Sequence, residues 1–108
     1  MKRSKISFEF EKDYGVNAAR IKPLFPELNQ APFEMALTKV LPGEVIKKHN
    51  HFEYEIFIHL KGSPFRVQIG NEVSIMEKDD VIFAERNLDH EFENIGDTES
   101  ILYSIWWE

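Results

Sequence analysis

The chain has 108 residues, 43% hydrophobic and 13% aromatic, enough for one domain with a proper core and too apolar for a disordered polymer. Its formal net charge of −6, from 13 basic and 19 acidic residues, excludes a nucleic-acid backbone as partner, because phosphate binding needs a basic surface. Cysteine is absent, which removes disulfides, thiolate metal sites and cysteine nucleophiles, and no apolar run approaches the roughly 20 residues that span a bilayer. The first five residues are basic, but the acid-studded stretch after them is no signal-peptide core, and the expected setting is cytoplasmic.

Residues 1–33 read as an N-terminal extended arm. It opens with the alternating Ile6, Phe8 and Phe10, turns at Asp13-Tyr14-Gly15, and continues through a stretch punctuated by Pro23, Pro26 and Pro32. Those prolines oppose a long helix and favour extended or turn structure. Residues 34–108 read as a barrel core of short strands at regular spacing. Strands are expected over 35–41, stopped by Pro42-Gly43, and over 55–60, closed by the turn Lys61-Gly62-Ser63-Pro64. Residues 65–69 and 73–76 flank Gly70-Asn71, a hairpin signal. Asp79-Asp80 turns the chain into a strand over 81–84; two more follow over 90–94 and 101–107. No helical periodicity is sustained and no repeat is present. The fold class is all-β, in a single domain spanning 1–108.

The chemistry centres on the histidines. In His49-Asn50-His51, a strand would point both imidazoles to one face, where they could converge on a metal of the iron, nickel, zinc or copper group. Taken alone, the pair is better explained by two solvated histidines in a polar loop, flanked by Lys47, Lys48 and Asn50. The wider spacing is more specific. Gly43 is followed by five residues and His49-x-His51; then come three residues and Glu55, six more and Gly62, with His90, three residues and Asn94 downstream. This pattern resembles the two short motifs of the cupin superfamily, across residues 43–94.

The resemblance implies a conical jelly-roll barrel, a double-stranded β-helix, with one divalent transition metal inside. It implies His49, His51, Glu55 and His90 as ligands, His49 and His51 from one strand and Glu55 from the next. Iron or manganese is the favoured ion, with nickel or zinc as alternatives. Three neutral imidazoles and one carboxylate suit such an ion and leave positions for water or substrate. The sequence departs from the usual family pattern at Asp79, where glycine is customary, at Glu85 in place of proline, and at Asn87 in place of glycine. None of these is a ligand, and asparagine tolerates a left-handed turn.

Neighbouring residues have blander roles. Glu53 stands two positions from the carboxylate site and reads as a solvated mouth residue. His59 shares the parity of Glu55 and reads as a hydrogen-bonded interior histidine, and Asn94 as a turn holder. Phe57, Phe83, Phe92, Tyr103, Trp106 and Trp107 are expected mostly in the core, with one of the adjacent tryptophans facing the other way. The expected function is a metal-dependent enzyme of dioxygenase, decarboxylase or isomerase type. Its substrate would be a small organic acid, diketone or phenolic compound, with Glu85 or Tyr103 moving protons. The alternative is a small-molecule binding or sensing module without turnover. A homodimer is expected, with the arm contributing.

Overall fold

The computed structural model describes residues 1–8 and 12–108, so Phe10 of the alternating stretch lies outside the described residues. Among the described residues ten strands form two sheets: β1 (Lys12–Asp13), β2 (Val16–Arg20), β3 (Glu34–Val40), β4 (Val45–His49), β5 (Tyr54–Lys61), β6 (Phe65–Ile69), β7 (Glu72–Met76), β8 (Val81–Ala84), β9 (His90–Asn94) and β10 (Ser100–Trp107). One sheet has the order β1-β2-β3-β10-β5-β8 and the other β4-β9-β6-β7, with antiparallel pairing throughout. The architecture is an all-β jelly roll. Among the described residues the helical turns are two short 3-10 segments, Lys22–Leu24 and Pro26–Gln30, each carrying proline near its start. No helix there is long and apolar enough to cross a membrane.

Strand alternation fills the space between the sheets. Val40, Phe57, Phe65, Val67, Met76, Phe92 and Leu102 form the buried cluster, and Val16 of β2 joins it. The strand β2 therefore belongs to the barrel wall, although it lies within the stretch read as an arm; it pairs with β3 from Asn17↔Lys39 to Arg20↔Ala36. No apolar alternation announces it, because Val-Asn-Ala-Ala-Arg buries small side chains on both faces. Residues 1–8 carry no strand, and Phe8 lies under Lys39 Nζ at 4.9 Å on the protein's own sheet.

Turn chemistry sets the register. Gly70 has φ 57 at the first position of the two-residue β6–β7 loop, where a type II′ hairpin needs a positive value. Gly62 has φ 95, and a Cβ there would lie 1.9 Å from the Glu99 carbonyl oxygen. Asp79 and Asn87 take the left-handed conformation at φ 74 and 63, so these two departures from glycine keep the turn and bear its modest strain. Asn94 is buried: its Nδ2 donates to the carbonyls of Val40 (2.8 Å) and Thr98 (2.9 Å), and its Oδ1 accepts from the Gly96 N–H (3.0 Å). It fastens the β9–β10 turn to β3.

Several aromatics expected in the core face outward. On β8 it is Ala84 that is buried, so Phe83 points out and is 54% exposed. Tyr103 alternates with buried Leu102 and Ser104 and lies on the outer face of β10. Trp107 joins Tyr54 and Phe83 there, with ring centroids 6.0 and 6.5 Å away.

Candidate metal centre

Three elements bring the histidines together. His49 ends β4 and pairs across the sheet with His90, the first residue of β9. His51 does not share the strand of His49, as the spacing suggested; it lies in the loop before β5. Two contacts hold that loop against the segment leading into β9. The Asn87 N–H donates to the His51 carbonyl at 3.2 Å, and Asn50 Nδ2 donates to the Asn87 carbonyl at 2.8 Å. Glu55 enters from β5 with its side chain inward and buried.

Ligand nitrogens of His49, His51 and His90 lie within 4.8 Å of one another, so the three could hold a metal ion. Nε2 of His90 is 2.9 Å from Nε2 of His49, and Glu55 Oε1 is 2.7 Å from His51 Nε2 and 3.5 Å from His90 Nε2. Donor atoms bound to one ion at about 2.1 Å stand roughly 3 Å apart at right angles, so these separations fit a shared ion. Tautomers point the same way. His49 Nδ1 is 2.8 Å from the Lys47 carbonyl, which can only accept; Nδ1 therefore carries the proton and Nε2 turns its lone pair inward. Without metal, a proton must lie between the facing Nε2 atoms, and buried His90 Nδ1 is then left without a hydrogen-bond partner. An ion in that place would take the lone pairs of both Nε2 atoms in place of that proton.

The electrostatics follow from burial. Desolvation pushes the Glu55 carboxyl up from 4.5 to about 7, against the opposing pull of His51. Burial, followed by repulsion from His49 and His51, lowers His90 from 6.5 to about 3, and burial also lowers His49. Burial thus disfavours the charged forms of Glu55, His49 and His90 alike, and a divalent ion would supply the counter-charge that the buried carboxylate lacks.

Surrounding residues shape the approach. Tyr14, in the β1–β2 turn, stacks on His49 with ring centroids 3.6 Å apart, while its carbonyl accepts from the Lys47 N–H at 3.0 Å. Glu53 is no bystander at the mouth: its Oε2 lies 2.8 Å from His51 Nδ1, an ion-pair distance without hydrogen-bond alignment. A cavity of about 210 Å³ opens over the cluster, lined by His49, His51, Glu55, Phe57, Arg20 and Trp106 among others. Trp106 faces this cavity and Trp107 the outside, the split expected of adjacent strand residues. Neither proton-transfer candidate lines it. Glu85 borders a separate hollow between β6, β7 and β8, because β8 ends at Ala84 and the chain turns away, and Tyr103 faces outward. His59 is fully buried, and its Nε2–H donates to the Lys61 carbonyl at 3.0 Å. It stands four residues beyond Glu55 on the same strand, about 13 Å along β5.

A family model described as Cupin domain matches residues 36–106, well over half the chain. The protein belongs to the cupin family. Among solved structures, this cupin is similar to a Cupin 2 conserved barrel domain protein from Salinispora arenicola, 28% identical with a TM-score of 0.80 over 100% of this chain and 85% of the other. A protein from Photorhabdus luminescens is also 28% identical, with a TM-score of 0.78 over 100% and 84% of the two chains. A predicted oxalate decarboxylase from Thermotoga maritima, 23% identical, superposes with a TM-score of 0.75 over 85% of this chain and 79% of its own. At that identity the likeness carries the fold alone. Among curated proteins, none matches.

Proposed function

We propose that this cupin is a metal-dependent enzyme acting on a small organic acid, diketone or phenolic compound. His49, His51, Glu55 and His90 hold one divalent transition metal, iron or manganese in preference to nickel or zinc. The observation that carries this is the convergence of three imidazoles beside a cavity, two of them with facing nitrogens 2.9 Å apart, and Glu55 Oε1 2.7 Å from the third. A bound metal would supply Lewis-acid polarisation of substrate oxygens and, if iron or manganese, access to redox chemistry. The chain itself does the rest. Ile46, Phe57 and Leu102 form an apolar wall that excludes water, and Tyr14 and Glu53 steady the imidazoles of His49 and His51. The cavity's volume of about 210 Å³ limits the ligand to a small molecule.

The test is turnover by iron- and manganese-loaded protein of a panel of small carboxylic acids, diketones and catechols, followed by oxygen uptake, carbon dioxide release and product analysis. Turnover that disappears in Glu55→Gln is expected. Tight ligand binding without turnover of any panel member would favour the sensing module instead.

A further inference from the structure

The cavity above the histidines is bordered by three carboxylates, from Asp13, Glu53 and Glu55, and, among its described lining residues, by one cation, Arg20. Two of the carboxylates face histidines, at 2.8 Å for Glu53 and 2.7 Å for Glu55. The third, Asp13, faces Arg20, with Oδ2 accepting from Nη2 at 2.6 Å. The guanidinium carbon of Arg20 also lies 5.0 Å from the centroid of the Trp106 ring. Arg20 therefore stands on the cavity wall with its plane steadied by an aromatic face and a carboxylate already engaged. It points inward because β2 alternates in register with β3: Arg20 lies opposite Ala36, whose small side chain leaves it room.

Asp13 occupies Arg20 as a substrate carboxylate would. Arginine presents a planar fork of donors that matches a carboxylate in two-point contact, and stacking on an indole reduces the entropy lost in forming it. The Arg20–Asp13 pair is only partly exposed, with side-chain accessibilities of 31% and 28%, so it is neither fully screened nor locked in the core. We propose that Arg20 is the specificity-determining residue of the cavity: it anchors a second carboxylate of the substrate, which displaces Asp13, while the substrate's chelating oxygens meet the histidine cluster. The substrate class is then a short acid with two anionic ends, one of them a chelating hydroxy-acid, keto-acid or carboxylate group. This inference rests on the metal reading above for the chelating end, and on Arg20, Asp13 and Trp106 for the other.

L-Malate and L-lactate make the test, since they share a hydroxy-acid end and differ by one carboxylate. Both are titrated calorimetrically into manganese-loaded full-length protein, with metal content measured for each variant. Wild type should prefer malate over lactate by roughly tenfold to a hundredfold, the range expected of a charge-assisted contact. Arg20→Gln should abolish that preference and leave lactate binding and metal content unchanged. Arg20→Lys should restore it in part, and Asp13→Asn, which removes one internal competitor, should tighten malate binding. Equal affinities for the two acids in wild type would overturn the proposal. So would an Arg20→Gln protein that loses both ligands alike, because that is the pattern of a structural ion pair. If manganese does not bind, the metal reading fails on its own; the same titration in metal-free protein then supports Arg20 if malate binding depends on it, and overturns the proposal if it does not.

Discussion

The phenol ring of Tyr14 lies flat on the imidazole of His49, with ring centroids 3.6 Å apart and planes inclined by 6°. The contact links the N-terminal hairpin to a ligand candidate, across 35 residues of chain. A stacked pair of this kind contributes about 1 kcal/mol beyond its buried area. Tyr14→Ala is expected to lower stability by about 1–2 kcal/mol and to weaken metal affinity several-fold, through a freer His49 ring. Tyr14→Phe keeps the ring and should match wild type in both. Denaturant unfolding and chelator competition give the two readouts.

The pH response should follow Glu55 and not His49 or His90. With His90 held near 3 and His49 also low, those imidazoles stay neutral well below pH 6.5, and the proton a metal must displace is the one on Glu55, near 7. Metal affinity should fall about tenfold per pH unit below roughly pH 7, one proton being released per ion bound. Chelator competition in buffers from about pH 5 to 8 measures the slope.

In metal-free protein the two groups oppose each other. Between 4.5 and 7 folded Glu55 holds a proton that the unfolded chain has released, so raising the pH costs stability. Between 3 and 6.5 the unfolded chain holds a proton that folded His90 lacks, so raising the pH adds stability. The metal-free melting temperature should climb from 3 to 4.5, gain less from there to 6.5, where Glu55 opposes His90 and the lowered His49, and decline toward 7. Calorimetry at low buffer metal reads this profile.

Asn94 and His59 should separate stability from the metal site. Asn94→Ala removes three hydrogen bonds from a buried turn and should cost about 2–4 kcal/mol. His59→Ala opens a cavity beside Phe65 and breaks the bond to the Lys61 carbonyl, at a similar cost. In both variants, metal content per folded chain should equal that of wild type.

Much of the barrel was legible because strand alternation and turn residues act locally. The strands over 65–69, 81–84 and 90–94 match the structure residue for residue. The strand β2 was hidden because alanines at 18 and 19 give no alternation, and its place depends on pairing with β3. The three-histidine cluster could be anticipated from spacing, although His51 reaches it from a loop that Asn87 holds in place. Tyr14, Arg20 and Glu53 had no such signal: their contacts with His49, Trp106 and His51 exist only once the hairpin has folded onto the barrel.

We propose a homodimer as the assembly, here through the outer face of one sheet and not only through the N-terminal arm. The outer face of β5, β8 and β10 carries Ile56, Ile58, Val81, Phe83, Ile105 and Trp107, and Val81 and Phe83 are more than half exposed. Apolar exposure beside the β8 edge invites pairing with a second copy. Light scattering at micromolar concentration should give twice the chain mass for wild type and the monomer mass for the double variant Val81→Glu/Phe83→Glu. A monomeric wild type would remove the dimer.

The central claim is that His49, His51, Glu55 and His90 hold one metal ion, and metal content by mass spectrometry of the purified protein tests it most directly. Wild type should carry close to one divalent transition metal per chain, and the double variant His49→Ala/His51→Ala should lose nearly all of it while its circular dichroism spectrum remains that of the folded barrel. A folded double variant that keeps its full metal complement would contradict the assignment.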